Sequence, residues 1–156
     1  MFSIDAQLER LTQIVGPLQS EVSLPESWRQ LRRDDQPRPS IPGDWRQYPR
    51  WTLPAVAAMR YVKPLLALKR SNSWFAVYSV DVSRNGVCFL HLEQAYPTEQ
   101  LQLLFADERK LFVEVMRCRR LQEKCYEVGA RFVSASVPGT AGVSSEVLAP
   151  QPSVAC

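Results

Sequence analysis

The sequence predicts a mainly β fold, an antiparallel barrel or sandwich, with a helical segment before it and a disordered tail after it. Three observations carry this reading. From Trp51 to Val133 apolar residues recur at period two, with β-branched and aromatic side chains among them, as in strands that bury one face. Turn-forming residues at Asn72, Asn85-Gly86, Tyr96-Pro97 and Ala106-Asp107 cut this stretch into short pieces. No helical pattern separates the pieces, so the crossover helices that a parallel sheet needs are missing.

The elements follow in order. Ile4, Leu8, Leu11, Ile14, Val15 and Leu18 recur at intervals of three and four, one stripe of an amphipathic helix with Ser3 as its N-cap and Gly16-Pro17 as its stop. Pro25 is a good first helical residue, and a second short helix is predicted from there through Trp28 to Arg33. Residues 34–43 hold Pro37, Pro39 and Pro42 and read as an extended linker, which makes 1–43 a helical segment plus linker. The main domain spans 44–133. Its strands are predicted at Ala55–Val62, continuing past Pro64 to Lys69 in one version, then at Trp74–Val80, Val87–Leu92, Gln100–Phe105, Leu111–Arg119 and Cys125–Val133. Residues 134–156, rich in Ser, Ala, Pro and Val, show no period and are read as disordered.

Charge and composition narrow the function. The chain of 156 residues carries 19 Lys+Arg against 16 Asp+Glu, and the excess sits in residues 44–133, with 14 cations and 9 anions. Fifteen of the cations are Arg, which favours planar, bidentate recognition of phosphate or guanine. An anionic ligand is the first expectation. Met1 to Leu11 contains Asp5 and Glu9 and has neither a basic leader nor an apolar run, so it is not read as a signal peptide. No apolar stretch approaches the roughly 18 residues of a membrane span, so no membrane insertion is expected. Cys88, Cys118, Cys125 and Cys156 are widely spaced and read as reduced thiols of a cytoplasmic protein. A single histidine, His91, gives no recognisable metal-ligand or Cys-His spacing, so neither metal nor cofactor is expected.

Two short patterns remain. Asp81-Val82-Ser83-Arg84-Asn85-Gly86 lies between two strands. Asn-Gly suits a tight hairpin turn, which accounts for Asn85 and Gly86. The strand end Asp-x-Ser needs a further reason, because alternation sets a carboxylate and a hydroxyl side by side on one face. That pair matches guanine: the carboxylate accepts from base N–H donors and the hydroxyl bonds a neighbouring polar atom. The second pattern is Arg46-Gln47-Tyr48-Pro49-Arg50. An R-x-x-x-R pair occurs about 1.4 times by chance at this Arg content, and Arg29/Arg33 is another. Pro49 disfavours helix at Tyr48, so Arg46 and Arg50 stand on an extended or bent segment that can aim both at one ligand, whereas Arg29 and Arg33 mark a solvated helix face.

These patterns, in this order, resemble the PilZ domains, bacterial receptors for cyclic di-GMP. Arg46 and Arg50 match the R-x-x-x-R segment, Asp81, Ser83 and Gly86 match D/N-x-S-x-x-G, and Val128-Gly129-Ala130-Arg131-Phe132 looks like the closing strand. The second motif is the more specific, with a chance expectation of about 0.02. The resemblance covers about residues 44–133. It implies a six-stranded, Greek-key-like antiparallel barrel and a cyclic di-GMP site made of Arg46, Arg50, Asp81, Ser83 and Gly86. The two arginines would clamp the ligand from a flexible arm, Asp81 and Ser83 would read guanine, and Gly86 would turn the chain where the ligand approaches.

The function implied is a non-catalytic receptor in second-messenger signalling that changes conformation on binding and acts on a protein partner. The alternative is a PilZ-like interaction scaffold that works without nucleotide, as in pilus assembly. A barrel for single-stranded nucleic acid would need aromatic residues on the strands, yet Trp45, Tyr48 and Trp51 precede them, so no nucleic acid polymer is expected. An enzyme is disfavoured, since Ser83 has no G-x-S-x-G elbow and no neighbouring base. Arg117 and Arg119 share a strand face with Val113 and Val115 and read as a solvated strand end, and His91 and Cys88 read as structural residues.

Overall fold

A computed structural model describes residues 3–33 and 50–134 of the protein. The linker, Arg46 and the tail after 134 lie outside the described residues. Helix α1 spans Ile4–Val15; the Ser3 Oγ accepts from the Ala6 N–H at 3.1 Å, and Gly16, at φ 88°, ends the helix by donating to the Thr12 carbonyl. Helix α2 spans Glu26–Arg33. The strands are β1 Leu18–Gln19, β2 Trp51–Thr52, β3 Val56–Lys63, β4 Trp74–Val82, β5 Gly86–His91, β6 Gln100–Phe105, β7 Lys110–Gln122 and β8 Cys125–Phe132.

Strands β3 to β8 close into a six-stranded antiparallel barrel in the order β4-β3-β6-β7-β8-β5, with β5 returning to β4. The β3-β4-β5 meander followed by a return of β6 to the side of β3 is a Greek key. Two pairs escaped the sequence reading because two residues carry no period. Strand β1 runs parallel to β4 (Leu18 opposite Trp74), and β2 runs antiparallel to its far end (Trp51 opposite Val82). Strand β3 does not continue to Lys69. Pro64 offers no N–H to the ladder, and residues 64–73 form a loop instead.

The barrel sheet is apolar on both faces. Phe75, Val77, Val87, Phe89, Leu101, Leu103, Val113, Val115 and Val128 fill the interior. On the outside Val56, Ala58, Ala76, Tyr78, Leu90, Leu104 and Cys125 are covered by Ile4, Leu11 and Trp28 of the helices. Each large side chain so buried contributes about 1.5–3 kcal/mol. The N-terminal segment is therefore part of the barrel's packing. Trp28 fixes it most firmly: its ring meets Tyr78 edge-on at 5.4 Å and its indole N–H donates to the Ser79 carbonyl at 2.8 Å.

One end of the barrel is held by a polar cluster. The fully buried Glu99 carboxylate accepts from Arg70 Nε at 3.0 Å, Arg70 Nη2 at 2.5 Å and the Tyr96 N–H at 2.8 Å. Arg70 also donates to the Gln94 carbonyl and lies over the Tyr61 ring at 4.5 Å. Tyr61 donates to Glu93 Oε1 at 3.0 Å, so its oxygen accepts from His91 Nε2, also at 3.0 Å. This sets the Nε2–H tautomer and leaves Nδ1 as a buried acceptor without a partner.

Two outcomes follow. Arg70→Met strips the buried Glu99 carboxyl of its cationic partner, and should lower unfolding stability by about 3–5 kcal/mol, read as the shift of a urea midpoint. Burial pushes the His91 pKa below its ordinary value. The unfolded chain therefore takes up a proton before the folded one does: stability is fully present above the ordinary histidine pKa and is lost as pH falls below it. Stability should drop between about pH 7.5 and pH 5.5, and drop less in His91→Phe. Equal losses in the two proteins would place the pH sensitivity elsewhere.

Candidate functional site

Four of the five residues singled out in the sequence are described, and all four line one cleft of about 160 Å³ on the outer face of the barrel: Arg50, Asp81, Ser83 and Gly86. Arg46 lies outside the described residues. Asn85, Met116, Arg117, Gly129 and Arg131 are among the other residues of its walls.

The cleft is built on a cross-strand row. Thr52 of β2 stands opposite Asp81 of β4, Asp81 opposite Cys88 of β5, Cys88 opposite Gly129 of β8, and Gly129 opposite Arg117 of β7. Residues directly opposite in antiparallel strands share a face. Here the face is the outer one, since Val87, Phe89, Val128 and Ala130, the neighbours of Cys88 and Gly129, belong to the interior.

Two bulges put the charged members of this row outside. Register shifts between Ser79 and Asp81 in β4, and between Val115 and Arg117 in β7. Val80 and Met116 are the extra residues, and past each the alternation reverses. This corrects the expectation that Arg117 shares a face with Val113 and Val115: those valines are interior, and Arg117 points to the cleft. No residue type in the sequence announces a bulge at Met116, so alternation alone misplaces the arginine.

The β4 bulge is tied to the segment that brings in Arg50. The Leu53 N–H donates to the Val80 carbonyl at 2.9 Å, the Ser79 N–H to the Ala55 carbonyl at 2.8 Å, and the Ser79 Oγ to the Leu53 carbonyl. The Ser79 carbonyl takes the Trp28 indole N–H, so the backbone groups freed by the bulge find partners. Pairing of Trp51 and Thr52 with Val82 and Asp81 sets Arg50 beside the turn that holds Ser83. Arg50 thus enters the site from a strand end in fixed register.

In the turn itself the Ser83 N–H donates to the Gly86 carbonyl at 2.8 Å and the Asn85 N–H to the Ser83 Oγ at 3.3 Å. Gly86 is not needed for a left-handed conformation, since Gly16 is the only glycine at positive φ among the described residues. Packing within the barrel supplies a reason of its own for glycine here: a Cβ at Gly86 would sit 2.1 Å from the carbonyl oxygen of Ala130 on β8. At Gly129 a Cβ would meet the Arg117 side chain at 2.9 Å, because that arginine lies flat along the glycine.

The site is electrically mixed. Asp81 and Ser83 are buried at its floor, while Arg117 is exposed on its wall and has no hydrogen-bond or ion-pair partner among the described residues. Arg131 is held by Glu114, with Nη2 to Oε1 at 2.9 Å. Burial, and next the Asp81 charge, push the Cys88 thiol up to about 12, against the opposing pull of Arg50 and Arg117. Cys88, buried in the cross-strand row behind the cleft, is therefore held as a neutral thiol.

The two glycines give a paired outcome. Gly86→Ala should force β5 away from β8 and cost about 1–3 kcal/mol of stability, visible as a lowered melting temperature. Gly129→Ala should cost less, since the displaced group is a side chain that can swing into solvent. A larger loss at Gly129 than at Gly86 would contradict the close-approach account.

Comparison with known proteins gives one result that bears on identity. No curated protein sequence matches the chain. A family model, the PilZ domain, matches residues 45–140, which is more than half of the chain and takes in the whole barrel and every residue of the cleft. With the six-stranded barrel and both sequence motifs on that same stretch, the chain belongs to the PilZ domain family.

Proposed function

We propose that this protein binds cyclic di-GMP in the outer cleft and serves as a non-catalytic receptor for it. PilZ is a family of cyclic di-GMP-binding domains. The observation that carries the reading is the convergence of Arg50 with Asp81, Ser83 and Gly86, thirty residues and more apart in sequence, on one cleft. A volume of about 160 Å³ suits a single nucleobase and is too small for a whole dinucleotide. One guanine would enter, its N–H donors facing the Asp81 carboxylate and a polar atom facing the Ser83 hydroxyl. The phosphates would stay outside under the forks of Arg50 and Arg46, with Arg117 free to move onto the ligand.

Signalling would use the node at Ser79. Its neighbours are the β4 bulge that orients Asp81, the chain just after Arg50, and Trp28 of α2. A ligand that draws Arg46 and Arg50 inward pulls on this node, and the helices lie at its other end. Their outer surface is then the one whose presentation to a protein partner changes, in a chain acting in the cytoplasm.

Calorimetric titration with cyclic di-GMP tests the reading. Arg50→Ala and Arg46→Ala should each weaken binding by about 2–5 kcal/mol, while the paired Arg29→Ala and Arg33→Ala control keeps it. Cyclic di-AMP should bind at least about tenfold more weakly, because adenine presents an acceptor where guanine presents a donor to Asp81. Trp28→Phe removes the indole N–H from the Ser79 carbonyl and should weaken the ligand while the ring still packs. Absence of any heat with wild-type protein would refute the receptor and favour the nucleotide-independent scaffold.

A further inference from the structure

The loop anchored by Arg70 has a feature that nucleotide binding does not use. The Leu68 N–H donates to the Leu65 carbonyl at 3.0 Å, closing a turn whose two corners are Leu66 and Ala67. Turn corners are ordinarily Gly, Pro, Asn, Asp or Ser, each for a conformational or hydrogen-bonding reason that Leu and Ala do not supply. Both corners are exposed, and Leu66 is fully so. Val62 is exposed at the base of the loop, and exposed Lys63 and Lys69 stand on either side of the apex. No Asp or Glu occurs anywhere between Asp44 and Asp81, although the stretch carries six cations.

The loop is also held firmly. Glu99 Oε2 accepts the Leu65 N–H at 3.4 Å and Arg70 Nε at 3.0 Å, so one buried carboxylate fixes both stems of the turn. Arg70 is further clamped between the rings of Tyr61 and Tyr96. The buried ion pair thus holds an aliphatic side chain out in water at a fixed place on the surface, flanked by two lysines.

We infer that the 63–69 loop is a peripheral docking finger for an anionic lipid surface. Leu66 enters the boundary between headgroups and acyl chains, and Lys63 and Lys69 meet lipid phosphates. This is contact with one leaflet, distinct from a membrane-spanning element, and among the described residues no helix is long and apolar enough to cross a bilayer. Three points favour a bilayer over a protein. The apex offers only a few side chains, far below the roughly 800 Å² per partner of a stable protein interface, whereas a bilayer asks for depth of entry and little area. Leucine is under-represented among the anchors of protein interfaces, where Trp, Tyr and Arg dominate. Two lysines without a nearby acid on their own segment suit the negative potential of anionic lipid, each strengthening binding about fivefold.

Sedimentation of the full chain with vesicles tests this. Wild-type protein should pellet with phosphatidylcholine vesicles containing phosphatidylglycerol and remain in solution with phosphatidylcholine alone. Leu66→Asp should keep the wild-type melting temperature, as the side chain touches nothing, and bind about tenfold more weakly or worse. Lys63→Gln with Lys69→Gln should reduce binding, as should added salt. Wild-type protein left in solution with anionic vesicles would overturn the inference and turn the finger toward a protein partner. Undiminished binding by Leu66→Asp would overturn it too, since the contact would then lie elsewhere on the basic surface.

Discussion

Register is the constraint on which the rest of this molecule depends. The interior of the barrel demands that β4 and β7 present Phe75, Val77, Val113 and Val115 inward. Strict alternation beyond those residues would also send Asp81 and Arg117 inward, where unpaired charges are prohibitively costly. One extra residue in each strand, Val80 and Met116, resolves the conflict by reversing the alternation at the point where the barrel ends and the cleft begins. The close approach of β5 and β8 belongs to the same solution. With no Cβ at Gly86 or Gly129, those strands can lie tightly together, and Arg117 can lie down across the sheet toward Asp81 and Cys88.

A bulge leaves backbone groups without ladder partners, and here their satisfaction links parts of the chain that are distant in sequence. Ser79 collects the carbonyls of Leu53 and Ala55 with its hydroxyl, and its own carbonyl takes the indole of Trp28. The N-terminal helices thus serve two ends at once. They cover the second apolar face of the sheet, and they complete the hydrogen bonding of the strand that aims Asp81.

The opposite end of the barrel meets a different demand. The β5-to-β6 connection must cross the open end of the cylinder, and Glu99 lies there fully buried. Arg70, brought over from the β3-to-β4 loop, neutralises it and stacks on Tyr61 and Tyr96. One ion pair therefore closes the barrel end and shapes the loop that carries Leu66. Cleft and loop grow from separate supports, the Ser79 node at one end of the barrel and the Arg70–Glu99 pair at the other.

The amino-acid sequence by itself determined the strand-rich core, the positions of most strands to within a few residues, the two helices, and the motif residues Arg50, Asp81, Ser83 and Gly86. These were legible because alternation, capping and turn chemistry are local, and each acts over a handful of neighbours. Only the tertiary structure decided that Arg117 faces the cleft, that Gly86 answers to the Ala130 carbonyl, that β2 pins Arg50 beside Asp81, and that Arg70 locks the barrel end onto Glu99. Each is a relation between strands or loops far apart in the chain, set by pairing register and burial, and a one-residue slip of register would undo every one that lies on the sheet.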